Sequence, residues 1–139
     1  MAFFPKKVKF RKWHKMRGKV LKGASFKGAK IAFGEFALKA KEGGFIKSNH
    51  LEAARKALVR FVEKGGKFWI RVFPDQPYTK KPPEIGMGGG KGDVAGYLAP
   101  IKTGRIIFEI DGLPKEKAIE ALKSAGAKLP VKTKIISRE

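Results

Sequence analysis

Acid–base, nucleophilic and metal chemistry need particular side chains held close together, and this chain supplies few of them. It has no cysteine, which excludes disulfides, thiolate nucleophiles and every zinc site with a Cys ligand. Its only histidines are His14 and His50, too few for an all-histidine metal centre. The best-placed carboxylates are Asp75, before a proline-rich turn, and Asp111, at a strand end, and nothing in their spacing makes them neighbours. Each is better read as shaping its own turn. Ser25, Ser48, Ser124 and Ser137 have no local His or Asp partner. No catalytic constellation stands out, so no enzyme activity, metal or cofactor is expected. The run IGMGGGKGDVAG lacks the GxGxxG spacing of a dinucleotide fold, and Lys91 is followed by Gly92 where a Walker loop needs Ser or Thr.

The chemistry that the chain does carry is cationic. Its 139 residues hold 32 Lys and Arg against 12 Asp and Glu, a formal net charge of +20. That charge is costly in self-repulsion unless a polyanion neutralises it. Nucleic acid is the first candidate, an anionic membrane surface the second and an acidic protein the third. Residues 1–34 contain eleven Lys or Arg and no acid. They also hold Phe3, Phe4, Phe10, Trp13 and Phe26, more aromatic than a solvated basic tail. Such an arm is expected either to pack partly on the core or to thread along nucleic acid, its cations meeting phosphates while some aromatics pack or stack, and both can hold together. A second cationic group, Arg55, Lys56 and Arg60, sits on a helix; the arginines offer planar forks and Lys56 a point charge. Arg71 stands between Trp69 and Phe73 on one face of a strand, a candidate binding surface.

One domain fits this length, read as a basic arm over residues 1–30 and a body over 31–139. No apolar run is long enough for a membrane helix, and the N-terminus lacks a secretion-signal pattern. Residues 31–38 are expected to form a strand, with Gly34 marking a bulge or close packing, and 43–47 a short extended piece. Residues 49–64 are predicted as a helix: Asn49 caps it, Glu52 completes a capping box, and Leu51, Ala54, Leu58, Phe61 and Val62 recur at helical spacing. Residues 67–73 are predicted as a strand with Phe68, Ile70 and Val72 turned to the core. Prolines and glycines then predict a long functional loop over 74–96. Tyr97–Ile101 and Arg105–Ile110 are expected to pair as a hairpin, with Pro100 pointing to an edge strand or bulge. A second helix opens at Leu113–Pro114 with Ala118, Ile119, Leu122 and Ala125 as its apolar face, and 132–137 closes the chain as a strand. The expected fold class is α+β: two layers, with both helices on one face of a mixed or antiparallel sheet.

Several stretches occur in a familiar order: PKKVKFRKWHKMRGK, HLEAARKALVRF, GKFWIRVFPDQPYTKKP, MGGGKGDV and AKLPVKTK. Together they closely resemble the bacterial-type large-subunit ribosomal protein L-sixteen family, from Pro5 to Ile136. The resemblance implies an α/β-hammerhead-like body, a structural role and no enzyme activity. It implies binding to large-subunit ribosomal RNA near the central protuberance, beside neighbouring ribosomal proteins, in a bacterial cytoplasm and without membrane contact. The family's RNA-contacting arm maps to Lys9, Phe10, Arg11, Lys12, His14, Lys15 and Arg17. Its helix motif maps to Ala53, Ala54, Arg55, Lys56 and Ala57. Its loop, which reaches toward transfer-RNA acceptor arms, keeps Met87, Gly88, Gly90, Lys91 and Gly92. Many relatives carry Arg where this chain has Gly86 and Lys where it has Gly89, so the loop reaches with less charge here. The alternative reading is a free RNA-binding or annealing module without a fixed ribosomal site.

Overall fold

Two sheets, not one, organise the body. The computed structural model describes residues 4–14, 22–62 and 65–138. In chain order the elements are β1 (Phe36–Ala40), β2 (Gly44–Lys47), α1 (Ser48–Val59), β3 (Lys67–Ile70), β4 (Gln76–Lys80), β5 (Asp93–Ile101), β6 (Ile106–Asp111), α2 (Lys115–Gly126) and β7 (Thr133–Ser137). A four-stranded sheet has the order β3-β6-β1-β7 and a three-stranded sheet the order β2-β5-β4. Neighbouring strands are antiparallel throughout, which places the chain in the α+β class.

The core sits between the helices and the larger sheet. Leu38 stands opposite Phe108 on one side and Ile135 on the other, and Phe68 stands opposite Ile110. Against this row pack Leu51, Ala54 and Leu58 of α1 and Ala118, Ala121, Leu122 and Ala125 of α2. Burying each large aliphatic side chain contributes about 1.5–3 kcal/mol. The small residues of α2 let its backbone approach: a Cβ at Gly126 would stand 2.8 Å from Thr133 Oγ1. Ala121 joins the expected apolar face, while Ile119 is only half-buried.

Several expectations are corrected. The first strand is 36–40 rather than 31–38, because the N–H groups of Ala32, Phe33 and Gly34 donate to the Glu109 carboxylate instead of a neighbouring strand. Gly34 is a point of close packing: a Cβ there would lie 2.6 Å from the Ile110 carbonyl oxygen. The first helix ends at Val59, and Phe61 and Val62 both donate to the Leu58 carbonyl in a closing turn. The predicted end at Lys64 lies outside the described residues. Asn49 is not its cap. Lys47 is, and its backbone N–H donates to His50 Nδ1 across 3.3 Å. Glu52 makes no capping box; it bonds to Arg55. Burial and the nearby Lys47 charge hold the His50 imidazole below its ordinary pKa.

The strand predicted over 67–73 is regular only to Ile70, although Arg71 still donates its N–H to Ile107. The predicted hairpin of 97–101 with 105–110 does not form. β5 pairs with β2 and β4, and β6 with β1 and β3, so residues 102–105 carry the chain between sheets. β5 is therefore a central strand, and Pro100 is tolerated because its pairing with β4 ends at Leu98. The long loop is shorter than expected. β4 and the first residues of β5 form its stem, leaving residues 81–92 as the irregular tip. Local alternation identifies a strand but not which partner it finds.

Candidate nucleic-acid interface

The arm lies against the smaller sheet. Phe4 stacks on Tyr97 with ring centroids 6.3 Å apart. Further on, Lys91 Nζ donates to the Trp13 carbonyl, and Lys12 Nζ donates to the Lys91 carbonyl across 3.3 Å. These bonds join the arm to the loop. They leave Lys9, Arg11, Lys12 and His14 exposed along the arm. Lys15 and Arg17 lie outside the described residues. The next stretch is pinned to the body: Ser25 donates to Thr103, Ile106 donates to the Gly28 carbonyl, and Arg105 donates to the carbonyls of Lys27 and Arg71. Burial and the Arg71 charge lower the Arg105 pKa from its ordinary value.

The helix cations separate into two kinds. Lys56 and Arg60 are exposed and project from the last turn of α1 and its end. Arg55 is committed to Glu52, with Nη2 2.6 Å from Oε1. That hydrogen bond holds the Glu52 carboxyl down to about 2.

Arg71 is also committed. Its Nη1 lies 2.6 Å from Oε1 of the fully buried Glu109, and its guanidinium stands 5.2 Å from the Phe33 ring centroid. Burial pushes the Glu109 pKa up, but the N–H groups of Ala32, Phe33 and Gly34 and the Arg71 guanidinium outweigh it and hold the net value below normal. Trp69 stacks on Phe33 at 5.8 Å. The face carrying Trp69 and Arg71 is thus largely covered by this chain's own 32–34 segment. Phe73 alone of that face stays widely exposed.

At the loop tip Met87 is fully exposed, and Gly88, Gly90 and Lys91 are exposed beside it. Gly88, Gly89 and Gly90 all take positive φ, a conformation that side chains disfavour. Lys81 Nζ donates to the Gly88 carbonyl across 2.6 Å and braces the tip. Gly92 sits at the stem, where a Cβ would meet the Lys80 backbone at 3.0 Å.

Sequence reading missed Lys81, Tyr97, Gln76 and Glu109 as supports of this surface. Glu109 stands opposite Trp69 on the sheet face turned away from the helices, and the signal in IIFEI is a lone charge in an otherwise apolar strand. Nothing local marked Gln76, which lies among prolines.

Among the described residues no group of His, Asp and Glu could hold a metal ion, and no helix is long and apolar enough to cross a membrane. Fold and surface define a class: a small, strongly cationic α+β protein whose basic arm and loop are tied together. The family model described as ribosomal protein L16p/L10e matches residues 5–136, and the chain belongs to that family. It is thereby a ribosomal protein, a structural component and not an enzyme. It is 53% identical over 135 residues to the large ribosomal subunit protein uL16 of Thermus thermophilus, covering 97% of this chain and 94% of the relative. It is 51% identical over 136 residues to the protein of the same name from Aquifex aeolicus, covering 98% and 94%.

Proposed function

We propose that this chain occupies one fixed site in the large ribosomal subunit of a bacterial cytoplasm, as the names and sources of its relatives suggest. Its arm over residues 1–30 and the exposed end of α1 bind large-subunit ribosomal RNA near the central protuberance. The body from residue 31 presents the loop tip toward the acceptor arms of transfer RNA. Lys9, Arg11, Lys12, His14, Lys15, Arg17, Lys56 and Arg60 serve as RNA contacts. Arg55 and Arg71 act mainly by fixing the surface, because their charges are already matched by carboxylates.

The observation that carries this reading is the Lys91–Trp13 bond, which couples the arm to the loop. An arm held by phosphates thereby positions a tip too poor in charge to anchor itself. A map of RNA crosslinks on assembled large subunits tests it. Crosslinks from the arm should cluster on one ribosomal RNA region, and those from Met87 should reach transfer RNA. Crosslinks scattered over many RNAs would instead identify a free annealing module.

A further inference from the structure

Where residues 102–105 carry the chain between the two sheets, a groove of about 530 Å³ opens, in the size range of small-ligand sites. None of its lining side chains is among the individual RNA contacts named above. Val72, Ala99 and Ile101 are buried and make an apolar floor. Phe26 and Phe73 border that floor with 95% and 52% of their surface exposed. Two large rings left in water beside apolar surface forgo a hydrophobic contribution that a flat partner would supply.

The wall that carries Phe26 is held in place. Ser25 donates its N–H to the Thr103 carbonyl at 2.8 Å and its hydroxyl to the Lys27 carbonyl at 2.6 Å. Arg105 donates to the carbonyls of Lys27 and Arg71, each at 3.0 Å. Gly28, at φ +66°, packs so closely that a Cβ there would lie 2.7 Å from the Arg105 Cζ. The guanidinium is thus fixed by neutral carbonyls, and no carboxylate among the described residues offsets its charge. Exposed Lys27 and Lys102 add two more cations to the lining, against the single carboxylate of Asp75. Asp75 also lines the hollow beneath Lys7, Lys9 and Phe10, so the groove adjoins the path of the basic arm. An acidic peptide would match the cations but not the two rings. A nucleotide brings one phosphate charge and one flat face together.

We propose that this groove docks one unstacked nucleotide of ribosomal RNA, whatever its base. The base lies against Phe26 and Phe73, and the flanking phosphates face Lys27, Lys102 and Arg105. Stacking on a ring is tolerant of sequence because every base has a π-face. This inference rests on the RNA-binding reading above and adds to it a docking point on the body, where the two sheets meet.

The test titrates the full-length protein with a uridylate pentanucleotide and follows backbone amides by NMR. The amides of Phe26, Lys27, Phe73 and Lys102 should shift together, and their titration gives the affinity of the groove apart from that of the arm. Phe26→Leu and Phe73→Leu should each weaken that affinity about fivefold or more, with no change in its salt dependence. Lys27→Gln and Lys102→Gln should instead each lower the slope of log affinity against log salt by about 0.7. Unchanged amides of β6 confirm that each variant folds. Shifts confined to the arm would overturn the groove site while leaving RNA binding intact. Undiminished affinity in both leucine variants overturns it too, as does an equal response to pentaglutamate, which would mark a site for acidic peptide. Absence of any shift in arm or groove defeats the RNA-binding reading along with it.

Discussion

Arg71 donates to Glu109 across 2.6 Å, and the carboxylate that accepts this bond is fully buried in the middle of β6. The N–H groups of Ala32, Phe33 and Gly34 complete the arrangement at 2.7–3.1 Å. One charge thus ties three chain segments together: the approach to β1, the end of β3 and β6, one of the two inner strands of the larger sheet. Burial of a carboxylate is tolerated here because every donor around it favours the ionised form.

Replacing Glu109 by Gln should cost about 2–4 kcal/mol of folding stability. The amide leaves Arg71 without its counter-charge and sets an NH₂ group against backbone donors. Denaturant titration reads the difference as a lowered midpoint; an unchanged midpoint would contradict the role assigned to this pair.

The same group predicts a pH dependence. Its folded pKa is depressed, so its contribution is fully present above the unfolded carboxylate value, about 4.3, and is lost as pH falls through the lower folded value. Unfolding midpoints measured from neutral pH down to about 3 should decline over that window. The decline should be shallower in Glu109→Gln, and identical slopes would assign it to other carboxylates.

Gly34→Ala should destabilise the chain by about 1–3 kcal/mol. The added Cβ would meet a backbone carbonyl at 2.6 Å, and backbone in a paired strand cannot move aside as a flexible side chain can. Thermal unfolding checks it, with Gly86→Ala as a comparison because no atom stands near that position.

Cations that are exposed and cations that are paired should differ in RNA binding. Removing Arg11 or Arg60 should reduce the slope of log affinity against log salt by about 0.7–0.9 each. Arg55→Gln should change it less, since Glu52 already offsets that charge. Filter binding at several salt concentrations separates the cases; equal slopes for all three variants would remove the distinction.

Lys91→Met should loosen the arm. It removes the bond to the Trp13 carbonyl, and local opening near residues 12–14 should rise by roughly threefold to tenfold. Amide hydrogen exchange reads this directly, while exchange in β6 should stay as slow as in the parent.

Much of the local structure was legible before folding. The periodicity of Leu51, Ala54 and Leu58 located α1, and the alternation in KFWIRVF set Phe68, Ile70 and Val72 toward the core and Trp69 and Arg71 away from it. Both patterns survive because they depend on near neighbours in the chain. The helix cap differs from the expected one because the Asn49 side-chain oxygen accepts from the next N–H, that of His50, while the His50 ring turns back to Lys47. β4 was hidden because Pro77 breaks the strand signal, yet Pro77 stands opposite Tyr97 on an edge strand, where a missing N–H costs little.

By itself the sequence determined an α+β chain, its main apolar faces, the concentration of positive charge in the arm and the family to which it belongs. These follow from residue type and spacing along one dimension. Tertiary structure decided which charges remain free for a partner. Arg71 and Glu109 are 38 positions apart, and Lys91 and Trp13 are 78 apart. Such pairings depend on how two sheets divide the strands between them, and strand partners are chosen by packing across the whole molecule rather than by local pattern.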